Sequence, residues 1–282
     1  MPIYCLKAAC PDHAGIVSKV TGSLAGMGCN LLDLSQHTVL ERSLFLLRAV
    51  AEAPKDLSPE KFLAAFQGLA ETLAMRWELH DTARRPKVAV LASQTAHCLY
   101  ELLLKHADGH LPCEFTCVIS NHPDLENVAR HFDLPFHHVP CEKGQQEAHE
   151  ARVQELLENS GTEFVVLARY MRVLTPVFVK RWQDHLLNIH HGFLPAFQGS
   201  KPYAQAWEKG VKIIGATAHF ATAELDSGPI VAQDVIHVSD RCSAAELSDL
   251  GKDVERQVLA RALKTVLEHR VFVDQGRTFI LD

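Results

Sequence analysis

Two side chains able to donate hydrogen bonds to a developing anion, the Asn188 amide and the His190 imidazole, stand two residues apart at the end of an apolar run, Leu186-Leu187. Side chains alternate across a strand, so Asn188 and His190 share a face, and His191-Gly192-Phe193-Leu194-Pro195 then breaks the strand into a loop. Further along, Asp226 lies in Glu224-Leu225-Asp226-Ser227-Gly228-Pro229, a tight turn before another strand. An amide, an imidazole and a carboxylate together could stabilise an oxyanion and carry out general acid–base work. Each also has a structural alternative. His190 could satisfy local backbone groups beside a capping asparagine, and Asp226 could do no more than hold an Asx turn. The chemical reading needs Asp226 to reach His190 across neighbouring strand ends, and spacing along the chain leaves that open.

The surrounding sequence supplies a scaffold for such a site. From Lys87 on, apolar strand-like runs at 88–91, 115–119, 136–139, 164–167 and 186–189 alternate with helical stretches such as 99–106 and 125–132. That alternation predicts an α/β domain with a mostly parallel, helix-covered sheet, in which ligands gather beyond the carboxyl ends of strands. Strands at 213–219 and 229–238, an amphipathic helix from about 244 to 269 and a short strand-like tail complete it. The first eighty residues read instead as strand, helix, strand, strand, helix, strand. Ile16, Val20, Leu24 and Met27 recur at helical spacing before Gly26 and Gly28 end the helix, while Ser58-Pro59 caps a second one carrying Phe62, Phe66 and Leu69. Polar residues 81–86 end in proline. The expected division is a first domain at 1–82, a linker at 83–86 and a catalytic domain at 87–282.

Composition excludes several function classes. A chain of 282 residues, 47% hydrophobic and 22% charged, can bury the cores of about two domains. Its net charge of -6 gives no basic stripe for nucleic acid, and no segment is long and apolar enough to anchor in a membrane. The N-terminus lacks a basic region followed by an apolar run, so a cytoplasmic protein is expected. Eight scattered cysteines without a CxxC pair suit a reducing compartment and no disulfides. Although there are seventeen histidines, His137-His138 and His190-His191 are adjacent pairs whose members point to opposite strand faces, so no metal site is expected.

The segments Asn188-Ile189-His190-His191-Gly192-Phe193-Leu194-Pro195, Gly215-Ala216-Thr217-Ala218-His219 and Leu225-Asp226-Ser227-Gly228-Pro229 resemble the signatures of the folate-dependent formyltransferase superfamily. Within it, Val118-Ile119-Ser120-Asn121-His122-Pro123-Asp124, Pro135-Phe136-His137-His138, Leu167-Ala168-Arg169-Tyr170-Met171-Arg172-Val173-Leu174 and Gly199-Ser200-Lys201-Pro202-Tyr203 look like the 10-formyltetrahydrofolate deformylase family. The first domain resembles an ACT domain, a ferredoxin-like βαββαβ unit, through Pro11-Asp12-His13-Ala14-Gly15-Ile16-Val17 and Gly28-Cys29-Asn30-Leu31-Leu32-Asp33. The resemblance implies a formyltransferase-type, Rossmann-like second domain with Asn188, His190 and Asp226 as the catalytic trio. Donors from Asn188 and a protonated His190 would meet the oxyanion, while Asp226 would position water, accept its proton and favour the imidazolium. Met171, Arg172, Val173 and Leu174 match the segment that holds the folate ring, with His219 and Gly192 also near the substrate; the bland alternative for 171–174 is a buried strand end. Gly192 stands where relatives usually carry serine. Lys201 and Arg169 are weaker candidates for attracting an anionic glutamyl tail.

The implied substrate is 10-formyltetrahydrofolate, with no separate cofactor, and the products are formate and tetrahydrofolate, with the formate feeding purine synthesis. A formyltransferase acting on a phosphorylated amine would carry a glycine-rich first turn, but Val90-Leu91-Ala92-Ser93-Gln94-Thr95-Ala96-His97-Cys98 has no glycine, which favours water as acceptor. Two rivals stay open: a formyltransferase with an unrecognised amine acceptor, and an idle folate or amino-acid sensor. The ACT resemblance further implies an amino-acid effector near Asp12, Gly15 and Asn30, set against a sheet that serves only for subunit pairing in a homo-oligomer.

Overall fold

The computed structural model describes residues 1–196 and 202–282, which divide into two compact units. Unit 1 comprises residues 1–85 together with 268–272 and 279–282. Its first part runs β1 (Ile3–Pro11), α1 (Ile16–Gly26), β2 (Asn30–Val39), β3 (Leu44–Glu52), α2 (Pro59–Thr72) and β4 (Arg76–Asp81), with a single 3-10 turn at Leu40–Arg42. The four strands pair antiparallel in the order β2-β3-β1-β4. Sequence dictates the helix ends. Ser58 accepts a hydrogen bond from the Lys61 amide with Pro59 in the first turn, and the α1 terminus closes with Cys29 N–H on the Leu24 carbonyl once Gly28 has turned to φ 77. Ile16, Val20, Leu24, Phe62 and Phe66 fill the core at their expected spacing.

The expected boundary differs at the C-terminus. Phe272, Phe279 and Leu281 bury against Val39 and Leu46 of unit 1, so most of the tail joins the first unit and not the second. A strand-like tail in sequence carries no sign of which apolar surface it will cover.

One titratable pair in unit 1 makes stability depend on pH. The His269 ring stacks on His80 with centroids 3.7 Å apart. Burial, then the charges of His80 and Lys7, push the His269 pKa from 6.5 down to about 3, while Glu78 works against the shift and Arg48 with it. The unfolded chain therefore binds more protons than the folded chain between those values, and stability is lost as pH falls through that window. The thermal midpoint should drop between about pH 7 and about pH 4.5, and His269→Asn, which tolerates the φ of 56, should flatten the drop. Above pH 4.5 the reading is separable from Glu78, whose carboxyl, held near 2 chiefly by its hydrogen bond with His80, contributes only in more acid solution.

Unit 2 contains residues 86–267 and 273–278. Its elements are β5 (Lys87–Ala92), α3 (His97–Ala107), β6 (Glu114–Ser120), α4 (Glu126–His131), β7 (Phe136–His138), α5 (Gln146–Asn159), β8 (Phe164–Ala168), α6 (Pro176–Arg181), β9 (Leu186–His190), α7 (Pro202–Glu208), β10 (Ile213–Phe220), β11 (Ile230–His237) and α8 (Ala244–Leu267). The remaining strands, β12 (Val271–Asp274) and β13 (Arg277–Ile280), pair with each other. The seven-stranded sheet has the order β11-β10-β9-β8-β5-β6-β7. β5 to β9 run parallel, and β10 and β11 are antiparallel additions beyond β9. The fold is thus α/β with a mostly parallel sheet, as the alternation predicts. β8 is buried along its whole length, which accounts for its continuous apolar run, and Thr175-Pro176 starts α6 with Thr175 accepting from the Phe178 amide. Among the described residues no helix is long and apolar enough to cross a membrane, and no disulfide joins the cysteines.

Candidate active site

β9 ends in Asn188 and His190, and β10 lies antiparallel beside it with His219 opposite Asn188 and Thr217 opposite His190. After β10 the chain turns back through residues 221–229 into β11, and this turn brings Asp226 to the same strand ends. His190 Nδ1 lies 3.2 Å from Asp226 Oδ1, with both side chains over nine-tenths buried. The contact that spacing left open is therefore made. A carboxylate only accepts, so Nδ1 carries a proton and donates to it.

His219 completes the arrangement. Its Nδ1 donates to the Phe220 carbonyl at 3.0 Å, which leaves Nε2 as an acceptor for the Asn188 amide at 3.1 Å. Burial lowers the His219 pKa and the charge on His190 adds to it, against the raising effects of the Phe220 carbonyl and Asp226, so the neutral ring that accepts from Asn188 is favoured. The Asn188 amide is thereby oriented with its NH2 group on the His219 side, and its second N–H remains as a donor.

Asp226 depends on its turn. It adopts φ 56, a left-handed conformation that aspartate tolerates better than most residues, and Gly228 follows two positions later. The Phe220 amide donates to the Pro229 carbonyl at 2.9 Å, drawing the turn so close that a Cβ on Gly228 would stand 1.7 Å from the Phe220 carbonyl oxygen. Gly228→Ala forces the backbone to move. Expected are a loss of about 2 kcal/mol or more in denaturant unfolding and, because displacement near 1 Å disrupts reacting geometry, roughly 100-fold slower turnover.

A cavity of about 260 Å³ opens on these groups, and its walls include Asn188, His190, His219 and Asp226 together with Met171, Arg172, Val173 and Leu174. Segment 171–174 is held from both sides. The Met171 amide donates to Ser93 Oγ, which itself donates to Asn121. On the other side α5 offers a polar face: Gln146 donates to the Val173 carbonyl at 2.6 Å, and Glu150 accepts from the Thr175 amide at 2.8 Å and from its hydroxyl. His149, whose Nδ1 faces the Pro140 carbonyl, receives the Tyr170 hydroxyl. Sequence reasoning missed these supports. Ser93 and Asn121 end apolar strands and could have been flagged on that ground, whereas His149 and Glu150 look like surface residues of a polar helix.

Gly192 lines a second cavity of about 150 Å³ and its carbonyl accepts from Thr217, which fastens the loop after β9. Arg169 borders the same cavity as the trio, with Nε 3.4 Å from Glu255 Oε2. Lys201, with Gly199 and Ser200, lies outside the described residues. In unit 1, Asp12 and Gly15 precede α1 and Asn30 follows it, so the helix separates them by about 16 Å at its usual rise per residue. Among the described residues one group, His97, Cys98 and Glu255, is close enough to share a cation, but the Arg169 guanidinium already meets that carboxylate.

The chain is similar to known proteins along nearly its whole length. The Formyl transferase family model matches residues 86–263. The formyltetrahydrofolate deformylase of Synechocystis sp. is 42% identical over 276 residues, covering 98% of this chain and 97% of its own. A crystal structure of a formyltetrahydrofolate deformylase from Pseudomonas syringae pv. tomato, 41% identical, superposes with a TM-score of 0.96 over 100% of this chain and 95% of its own. The glycinamide ribonucleotide transformylase 1 of Symbiobacterium toebii, 31% identical, superposes at 0.67 over 70% of this chain and 95% of its own.

Proposed function

The chain belongs to the formyltetrahydrofolate deformylase family, and from that premise we propose that it hydrolyses 10-formyltetrahydrofolate to formate and tetrahydrofolate through Asn188, His190 and Asp226. The observation that carries the assignment is the meeting of these three residues on the wall of one cavity, with His190 Nδ1 3.2 Å from Asp226. Asp226 takes a proton from water as its oxygen attacks the formyl carbon. The oxyanion is met by the free Asn188 N–H and by His190 in its protonated form, in a buried setting where such donors count for more than in water. The bond from carbon to N10 then breaks, one water proton ends on N10, and the other leaves as formic acid ionises to formate. Segment 171–174 supplies the folate slot, with His219 holding Asn188. No metal, redox step or separate cofactor enters this scheme, because water attack on a formamide balances without one.

Unit 1 is proposed as an ACT-like domain, supported by its βαββαβ order and the sheet order β2-β3-β1-β4. Since Asp12 and Gly15 lie at one end of α1 and Asn30 at the other, an amino-acid effector touching both would sit between two copies of the unit, which favours a homo-oligomer. A cytoplasmic role in supplying formate for purine synthesis and balancing one-carbon pools fits this activity.

The test is direct. Purified protein given 10-formyltetrahydrofolate and no amine should release formate and tetrahydrofolate in equal amounts; consumption that begins only when an amine is added would overturn the assignment.

A further inference from the structure

In a sheet wound both ways from a central strand, ligands seat beyond the carboxyl ends of the two strands where the winding reverses. Here the reversal lies between β5 and β8: β6 and β7 continue on one side, β9 on the other. A buried polar cluster occupies this position. Arg169 immediately follows β8, His97 opens α3 after β5, Tyr203 comes from α7 and Glu255 from α8. His97 Nε2 lies 2.8 Å from Glu255 Oε2, the Tyr203 hydroxyl donates to Oε1 at 2.6 Å, and Arg169 Nε stands 3.4 Å from Oε2. Glu255 is only 1% exposed. Burial alone would raise its pKa, but His97, Arg169 and Tyr203 together lower it, so the group remains a carboxylate.

The cluster is fitted, and it retains costs that packing alone does not explain. Gly251, one turn before Glu255, lets the Tyr203 ring lie against α8; a Cβ there would fall 2.1 Å from the ring. Arg169 holds φ 61, an unfavourable conformation for a residue with a side chain. Its Nε and Nη1 are buried and find no hydrogen-bond partner among the described residues. Arg169 also lines the cavity that contains Asn188, His190 and Asp226.

We infer that this cluster is a plug closing the acceptor side of the formyl site, with Arg169 as the specificity-determining residue that keeps amines away and leaves the formyl carbon to water. The inference rests on the hydrolytic reading above. An amine acceptor must bring its nitrogen to the formyl carbon while the bond to N10 breaks and an amine proton replaces the formyl group on N10. That requires room beside the formyl cavity at the strand reversal, and the Arg169 side chain with its Glu255 partner takes that room.

The experiment supplies 10-formyltetrahydrofolate together with millimolar glycinamide and measures formate and N-formylglycinamide separately. The unsubstituted protein should give formate alone. Arg169→Gly, which removes the side chain and suits the positive φ, should make N-formylglycinamide a product beside formate, at least about 10-fold above the background formed without protein. Added guanidinium ion should bring it down again. Glu255→Gln, which keeps the shape, releases Arg169 and should shift the products in the same direction; it serves as the reading if Arg169→Gly does not fold. Formate as the sole product from a folded variant, or N-formylglycinamide from the unsubstituted protein, overturns the plug. A folded Arg169→Gly that consumes no substrate also overturns it, by placing Arg169 in the hydrolytic machinery. Failure of the unsubstituted protein to release formate with or without glycinamide would instead count against the deformylase reading itself.

Discussion

Asp226→Asn should lower kcat for formate release by about 10³-fold, within the range general-base removal produces, while leaving the chain folded. Asparagine occupies nearly the same volume and tolerates the left-handed backbone at φ 56, so the turn has no steric reason to move. The amide, however, cannot take a proton from water. It also removes the carboxylate 3.2 Å from His190 Nδ1, and with it the acceptor that orients the ring toward the oxyanion. Both losses fall on the chemical step. KM should change little, because segment 171–174, held by Ser93, Gln146 and Glu150, is untouched. Rapid-quench measurement of formate alongside a circular-dichroism melt separates this result from simple unfolding.

His190→Ala should cost about 10²–10³-fold in kcat, the range seen when an oxyanion donor is removed. The residue is 4% exposed and lies on β9 between the buried strands β8 and β10, so the substitution also leaves a cavity beside Asp226. His190→Gln distinguishes the two effects. It fills the space and keeps a donor but cannot become a cation, so it should recover stability without recovering most of the rate. Equal recovery of both would assign His190 a packing role.

The trio was legible because its members sit at ends: Asn188 and His190 close the apolar run of β9, and Asp226 stands in a glycine-proline turn. Their meeting was not legible, since it depends on β10 pairing antiparallel with β9 and returning the chain to the same edge. Strands β5, β6, β8 and β9 were readable as continuous apolar segments for the same reason that they are buried. The helix α5 was not. Two of its buried positions are His149 and Glu150, which pattern reading assigns to solvent, and it is these polar groups that hold segment 170–175. Glu255 was hidden in the same way on α8, and with it the partner of Arg169, because a cation is usually solvated unless a buried carboxylate meets it. The tail could not be placed either, because Phe272, Phe279 and Leu281 advertise an apolar contact without naming the unit that accepts it.

In the proposed mechanism water attacks the formyl carbon directly. Hydrolysis of 10-formyltetrahydrofolate in water enriched in oxygen-18, with formate analysed by mass spectrometry, tests it most directly. Attack by water predicts formate carrying one solvent oxygen beside the original formyl oxygen, formed without any amine. Formate free of solvent oxygen, or no formate until an amine is supplied, would contradict the account.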